Sequence, residues 1–189
     1  MKKNAFYLFS FFLLIGSIRA NAQLNVVVEN GIISIQSGSF GPPDPKKFNS
    51  IIDSLDKNLK EHPNDTTSLF YRALLLEQFN NQLAKASSYT KDPIENLTTS
   101  KEITEHAVGL NMQDIRLKVL RAQIYKDLVY RYSVSESWKF TSKQISERKV
   151  KCNTYKELAN KCYDELAVID KNNAYDYIRL KVNNNWNGH

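Results

Sequence analysis

The chain has 189 residues, with 26 Lys and Arg against 20 Asp and Glu, which gives a formal charge of +6 at pH 7. Three of the basic residues, Lys2, Lys3 and Arg19, lie in a segment that we expect to be removed, so the charge of the mature protein falls to +3. This modest charge is typical of an ordinary soluble domain and argues against a nucleic-acid partner.

The first 22 residues have the three parts of a secretory signal peptide. Lys2 and Lys3 are followed by an apolar run at residues 5–15, and residues 20–22 (Ala-Asn-Ala) offer the small side chains of a cleavage site. The apolar run is shorter than the roughly 20 residues that span a bilayer. We therefore predict that residues 1–22 are cleaved off and that the mature protein is secreted or periplasmic and does not span the membrane.

Residues 23–45 are predicted to form a β-hairpin and a linker. Two β-branched runs, residues 26–28 and 32–35, flank an Asn-Gly pair at residues 30–31, which is the strongest short hairpin signal. A hairpin alone is marginally stable in water. It must therefore pack on the rest of the chain, pair with the sheet edge of a partner, or stay mobile. Residues 38–45 (GSFGPPDP) are typical of a linker.

The spacing of apolar residues becomes helical from residue 46 onwards, and it predicts a helical domain over residues 46–182. A first helix should end at Pro63 and a second should follow it. A third should begin at residues 92–95 (Asp-Pro-Ile-Glu), which have the pattern of a capped start, and close near Gly109.

Neither Gly nor Pro occurs between residues 110 and 187, which favours helices joined by tight polar turns. One helix is expected from about Asp114 to Tyr132, and a last one from about Ala174, before a frayed tail at residues 183–189. Between these two helices, apolar residues that recur every seven positions predict one long helix: Trp138, Ile145, Cys152, Ala159 and Leu166.

The two cysteines, Cys152 and Cys162, both fall in that long helix. Ten residues along a helix separate them by about 15 Å, whereas a disulfide needs Cα atoms within about 7 Å. We expect two buried free thiols, with an intermolecular disulfide as the alternative.

Three helix junctions have similar sequences, at residues 59–65, 108–114 and 167–173. Arg-Ala pairs follow the first two at matching places (Arg72-Ala73 and Arg121-Ala122). The junctions resemble those between consecutive tetratricopeptide repeats (TPRs), and Tyr125, Ala159 and Tyr163 match the aromatic and small positions of that family. The resemblance implies an all-α fold of TPR-like antiparallel helical hairpins, about five to six helices in all, with a short N-terminal β-hairpin after the signal peptide.

The chain departs from the family in its period and in its junction proline. The junctions are 49 and 59 residues apart, from Pro63 to Met112 and from Met112 to Lys171, against 34 in the family. Proline is present at one junction of the three. The alternative is a helical bundle whose junctions look alike because of helix-capping chemistry alone.

A TPR-like arrangement implies a concave groove lined by the first helix of each motif. The positively charged groove side chains could pair with carboxylates, and a tyrosine could act as an aromatic anchor. By matching position, the residues that would face a partner are Thr67, Phe70, Gln78, Arg116, Val119, Gln123, Lys126, Tyr175 and Arg179.

No motif for catalysis, metal binding or a cofactor is found. The pattern S-x-x-K occurs at Ser54 and Ser88 without the elements that accompany it in enzymes. His106 follows Glu102 and Glu105, but no second His lies a helical turn away, and His62 and His189 belong to no cluster of metal-binding residues. We therefore predict no catalytic residues, no metal and no cofactor, while an acidic pair of the glycosidase type remains open.

A run of basic residues in the long helix suggests a basic face, which could contact anionic lipid, acidic glycan or an acidic protein. The alternative is an ordinary solvated helix surface. The residues are Lys139, Lys143, Arg148, Lys149, Lys151 and Lys156, with Lys161 beyond them.

Together these features predict an exported, non-catalytic scaffold that binds a protein or peptide through a TPR-like groove. Two alternatives are a structural component of an envelope assembly that acts through the hairpin, and a small helical hydrolase that uses groove carboxylates.

Overall fold

A computed structural model describes residues 24–36, 45–82, 93–133 and 137–183. The predicted signal peptide, most of the linker and almost all of the predicted tail lie outside these residues. The described elements are two strands, β1 (Asn25–Glu29) and β2 (Ile32–Gln36), and six α-helices: α1 (Pro45–Glu61), α2 (Thr66–Gln82), α3 (Pro93–Gly109), α4 (Ile115–Tyr132), α5 (Ser142–Ile169) and α6 (Ala174–Leu180). Short 3-10 turns precede α5 and α6. The prediction of a mostly helical chain with an N-terminal hairpin is confirmed.

The hairpin forms because Asn30 and Gly31 adopt the positive φ values, 52° and 75°, that a two-residue turn requires. The strands pair antiparallel, with Glu29 opposite Ile32 and Val28 opposite Ile33.

Each helix packs mainly on its neighbours along the chain, from α1 against α2 to α5 against α6. Helix α4 is central, because it contacts α3, α5 and β2. Its apolar residues recur on several faces, so little of the helix reaches solvent. The fully buried side chains of α4 include Leu117, Leu120, Ile124 and Leu128.

At two of the helix junctions an aspartate side chain caps the following helix. Asp65 Oδ2 accepts from the Ser68 N–H (3.3 Å) at the start of α2, and Asp114 Oδ1 accepts from the Arg116 N–H (2.9 Å) at the start of α4. Carboxylates at these positions satisfy amide groups that the first turn of a helix leaves free.

The same two junctions are bridged by equivalent ion pairs. Arg72 on α2 binds Asp56 on α1 (2.6 Å), and Arg121 on α4 binds Glu105 on α3 (2.7 Å). The two arginines are 49 residues apart, as are the two acids. The alanines that follow, Ala73 and Ala122, are both 0% exposed, so each allows close helix contact.

The long helix is shorter than predicted at its N-terminal end. It begins at Ser142, because the side chains of Thr141 and Gln144 form a reciprocal capping box there. Trp138 lies in the preceding 3-10 turn and is 74% exposed, so its place in the seven-residue pattern was wrong.

Both cysteines are free thiols in the structure. Cys162 is buried, and Cys152 is half-buried against the carbonyl of Val129 (3.8 Å). Burial raises the pKa of the Cys162 thiol to about 11, so little reactive thiolate is present at neutral pH.

Within the described ranges, no helix combines the length and the apolar character needed to cross a bilayer.

Candidate functional site

The hairpin lies on the side of the helices formed by α2, α4 and α6. Ile33 of β2 is 0% exposed, and the Gly31 turn rests against α6. A Cβ atom added at Gly31 would lie 2.8 Å from Leu180 Cδ1 and 3.1 Å from Tyr177 Cδ1, so the turn approaches α6 as closely as only glycine permits. We call the surface formed by Gln78, Gln123, Tyr177 and Leu180 the hairpin seat.

Two glutamine side chains in the hairpin seat bind the main chain of Ile33. Its N–H donates to Gln123 Oε1 (3.1 Å), while its carbonyl accepts from Gln123 Nε2 (3.3 Å) and from Gln78 Nε2 (3.4 Å). In an antiparallel ladder, alternate residues direct both main-chain groups away from their partner strand. The Gln123 amide therefore takes the place that a peptide group of a third strand would take.

The apolar part of this contact consists of one fully buried side chain, Ile33, and the partly buried Val26, Val28 and Ile35, which also pack against the core. Of residues 24–36, Ile33 has the one fully buried apolar side chain, and Ile32 is 46% exposed. Burial of one isoleucine stabilises by about 1.5–3 kcal/mol, and each hydrogen bond adds about 1 kcal/mol. Ile33 and its hydrogen bonds therefore contribute a few kcal/mol to docking of the hairpin, and the partly buried Val26, Val28 and Ile35 add to this.

A pair of carboxyl groups, the buried Glu77 and the half-buried Asp127, lies beside the two glutamines. Glu77 is 0% exposed, and its carboxyl accepts from Gln123 Nε2 (2.8 Å) and from Gln78 Nε2. Burial, and next the negative charge of Asp127, raise the pKa of Glu77 to about 8, although the hydrogen bonds from the glutamines act in the opposite direction. Glu77 thus carries a proton at neutral pH and can share it with Asp127.

This carboxyl pair meets one expectation of the hydrolase alternative, because acidic groups with a raised pKa converge here. It fails another, since Glu77 is closed to solvent and no substrate reaches it in this arrangement.

The structure brings together two of the predicted groove residues, Gln78 and Gln123, through Ile33. Thr67 and Lys126 lie on the corresponding faces of α2 and α4, the first exposed and the second half-buried. Burial lowers the pKa of Lys126.

Two predicted groove residues, Phe70 and Val119, belong to the core instead, because they are 1% and 0% exposed. The Arg116 guanidinium lies 5.4 Å from the centre of the Phe70 ring and binds Asp114 (2.6 Å), so it is engaged within the chain. Phe70 and Val119 are therefore not open to a partner in this arrangement, and their role in binding stays a prediction.

Tyr175 and Arg179 also lie away from the hairpin seat. Tyr175 is 72% exposed, and the Arg179 guanidinium lies 5.5 Å from its ring centre. Residues two apart on a helix point about 200° apart, so Tyr177, which contacts the hairpin, faces the opposite side of α6. The sequence prediction missed Tyr177, although its three-residue spacing from Leu180 could have indicated the inner face.

The predicted basic face does not form, because helix geometry spreads these residues around α5. At about 100° per residue, Lys143 and Arg148 point in different directions, and Lys139 precedes the helix. Arg148 packs on the Phe140 ring (4.3 Å) and donates to the Arg131 carbonyl, and Lys151 lies 5.1 Å from the centre of the Tyr132 ring. Lys149 is exposed and Lys156 is half-buried.

A shallow depression at the turn between α1 and α2 is the other concave surface of note. His106 Nε2 lies 3.1 Å from Asn64 Oδ1 at its edge. No group of three or more metal-ligating side chains occurs here or elsewhere in the described parts of the chain. The depression is lined by Asn58, Glu61, His62, Pro63, Asn64 and Asp65.

Comparison with known proteins gives no relative: no protein-family model, curated protein or solved structure matches this chain.

Proposed function

We propose that this protein is an exported, non-catalytic scaffold that binds a protein or peptide partner through the face formed by α2, α4 and α6. One observation carries the proposal: Gln123 on this face binds both main-chain groups of Ile33 in an extended strand. Main-chain hydrogen bonds to an extended segment are a common basis of peptide recognition.

A TPR-like arrangement, with α2, α4 and α6 as first helices, is part of this proposal. It is supported by the 49-residue recurrence of the aspartate caps, the Arg72–Asp56 and Arg121–Glu105 ion pairs, and the buried alanines. In such an arrangement the first helices share one face, and the hairpin contacts all three of them. Export is proposed on the signal-peptide pattern of residues 1–22 alone.

The proposal can be tested by site-specific photo-crosslinking in the native envelope or medium. A photoreactive residue at Lys126, which lies on the proposed binding face, is expected to trap a partner. The same residue at Lys149, which is exposed on α5, serves as the control. A partner trapped equally from both positions, or from neither, would contradict the proposed face.

The structural alternative has its own supporting observation. The main-chain groups of Val26 and Val28 point outwards from β1, and no other described residue binds them, so this edge could accept a strand of an envelope partner. A photoreactive residue at Asn25 tests it. Trapping from Asn25 but not from Lys126 would favour this alternative.

The hydrolase alternative is supported by the carboxyl pair of Glu77 and Asp127. It predicts hydrolysis of glycoside or peptide model substrates that is lost in Glu77→Gln. Equal turnover by the unaltered protein and Glu77→Gln, or no turnover by either, would contradict the hydrolase alternative.

A further inference from the structure

We propose that the hairpin seat is a recognition site for the tip of a β-hairpin with the pattern Gly-x-Ile or Gly-x-Val. In this view the chain's own hairpin is an exchangeable occupant that a partner protein's hairpin of the same pattern replaces. The inference rests on the proposed function and specifies the chemistry of its ligand.

The first position of the pattern is fixed by contact with α6. At Gly31 a Cβ atom would come within 2.8 Å of Leu180 and 3.1 Å of Tyr177, and φ is +75°. Both space and backbone conformation therefore select glycine.

The second position is open to any residue that suits a strand. Ile32 points away from the helices and is 46% exposed. Its main chain pairs with Glu29 inside the hairpin, not with the hairpin seat.

The third position carries most of the recognition. The Ile33 side chain is 0% exposed, and its N–H and carbonyl are both bound by Gln123. Gln78 binds the same carbonyl. These hydrogen bonds are made to main-chain groups and do not depend on the side chain, so a strand from another protein can make them equally well.

Exchange is favoured by the polar part of the hairpin seat, the amides of Gln78 and Gln123, while Tyr177 and Leu180 form its apolar part. When the hairpin leaves, the amides of Gln78 and Gln123 lose Ile33 as a partner, and water can bind them in place of the strand. Both strands precede α1 in the chain, so no helix has to unfold or move aside for the hairpin to be replaced.

The test uses the complete folded protein with a protease-cleavage sequence inserted after Ser39. After cleavage, the connection between hairpin and helices is lost while the docked complex remains. We expect the hairpin to dissociate on dilution while the helical circular dichroism is retained, and a fluorescent peptide of residues 24–36 to bind in its place, as measured by anisotropy.

Matched peptides test the pattern. Ile33→Thr is expected to weaken binding at least about tenfold, whereas Ile32→Thr changes it less than about threefold. N-methylation at Ile33, which removes the donor to Gln123, is expected to weaken binding about tenfold. N-methylation at Ile35, whose N–H lies on the same edge of β2 without such a partner among the described residues, is the control.

Several results would overturn the inference. These are helices that unfold once the hairpin leaves, a cleaved hairpin that never exchanges, or equal effects at Ile32 and Ile33. The outcome is separable from that of the proposed function. Peptide exchange without any partner trapped from Lys126 would retain the ligand pattern and reject the proposed function. A partner trapped from Lys126 without peptide exchange would retain the proposed function and reject the ligand pattern.

Discussion

The contact between α4 and α5 and the contact between the hairpin and its seat are both buried, yet they are built from different groups. The first is lined by apolar side chains such as Leu128, Ala159 and Leu166, all at most 1% exposed. The second combines one fully buried isoleucine and several partly buried apolar side chains with main-chain hydrogen bonds to two glutamine amides. When a contact opens, apolar surfaces are exposed to water, which is unfavourable. Polar groups instead replace their hydrogen bonds within the protein by hydrogen bonds to water.

From this difference we expect that the two contacts, although both are buried, differ in how readily they open. We expect the α4–α5 contact to break when the protein unfolds, and the hairpin contact to open separately while the helices remain folded. Native proteins commonly open in such local units before they unfold globally.

The largest expected effect comes from a truncation in the apolar contact. Leu128→Ala should lower the free energy of unfolding by about 3 kcal/mol, because it removes buried methyl groups and leaves a cavity. Urea denaturation measures this. Ile33→Ala, also at a fully buried position, should have a smaller effect, since release of the hairpin limits the loss. Equal losses in the free energy of unfolding would contradict the expected difference between the two contacts.

A second effect should follow pH. The pKa of Glu77 is raised from 4.5 to about 8 on folding, so between these values the folded protein holds a proton that the unfolded chain has lost. Stability is therefore greatest at the acidic end of this window and falls as pH rises through 8. The free energy of unfolding should drop by about 2 kcal/mol from pH 6 to pH 9.

Glu77→Gln, which keeps the shape of a protonated carboxyl, should flatten this pH dependence. Glu102→Gln, at an exposed position on α3, should leave it unchanged. A slope that persists in Glu77→Gln would show that the buried carboxyl is not its source.

A smaller effect tests whether the two helix junctions are equivalent. Arg121→Ala should cost about 1 kcal/mol and Arg72→Ala about 0.5 kcal/mol, since both ion pairs are partly exposed and Arg121 also lies over the Tyr125 ring. Double-mutant cycles with Glu105 and Asp56 measure the two couplings. A coupling in one junction and none in the other would argue against a repeated unit.

The smallest effect is expected at Tyr175. Its substitution by alanine should change the free energy of unfolding by less than about 0.5 kcal/mol, because the ring is 72% exposed. Thermal denaturation with Tyr177→Ala as the comparison measures this. A large loss at Tyr175 would place it, against the structure, in a buried contact.

Much of the fold could be predicted from local sequence patterns. The apolar spacing marked the helices, the Asn-Gly pair marked the hairpin turn, and Asp114 marked the start of α4. These signals work because helix caps and tight turns depend on a few neighbouring residues. The predicted extension of α5 back to Trp138 was wrong, because the Thr141 capping box starts the helix at Ser142.

The site was less predictable, because it depends on contacts between residues far apart in the chain. Gln78 and Gln123 were selected by matching position, but nothing in the sequence indicated that Ile33 would occupy the space between them. The burial of Glu77 had no local signal either. The basic residues of α5 were grouped by closeness in sequence, and the turn of the helix separates them.

The most direct test of the account is native-state hydrogen exchange at increasing denaturant concentration. It compares the ladder amides of Val27 and Ser34 in the hairpin with the amides of Leu120 and Ile124 in α4. We predict that the hairpin amides exchange through a local opening with a free energy clearly below that of the α4 amides, which exchange by global unfolding. A single common free energy for all four amides would contradict the account, because the hairpin would then be a fixed part of the core.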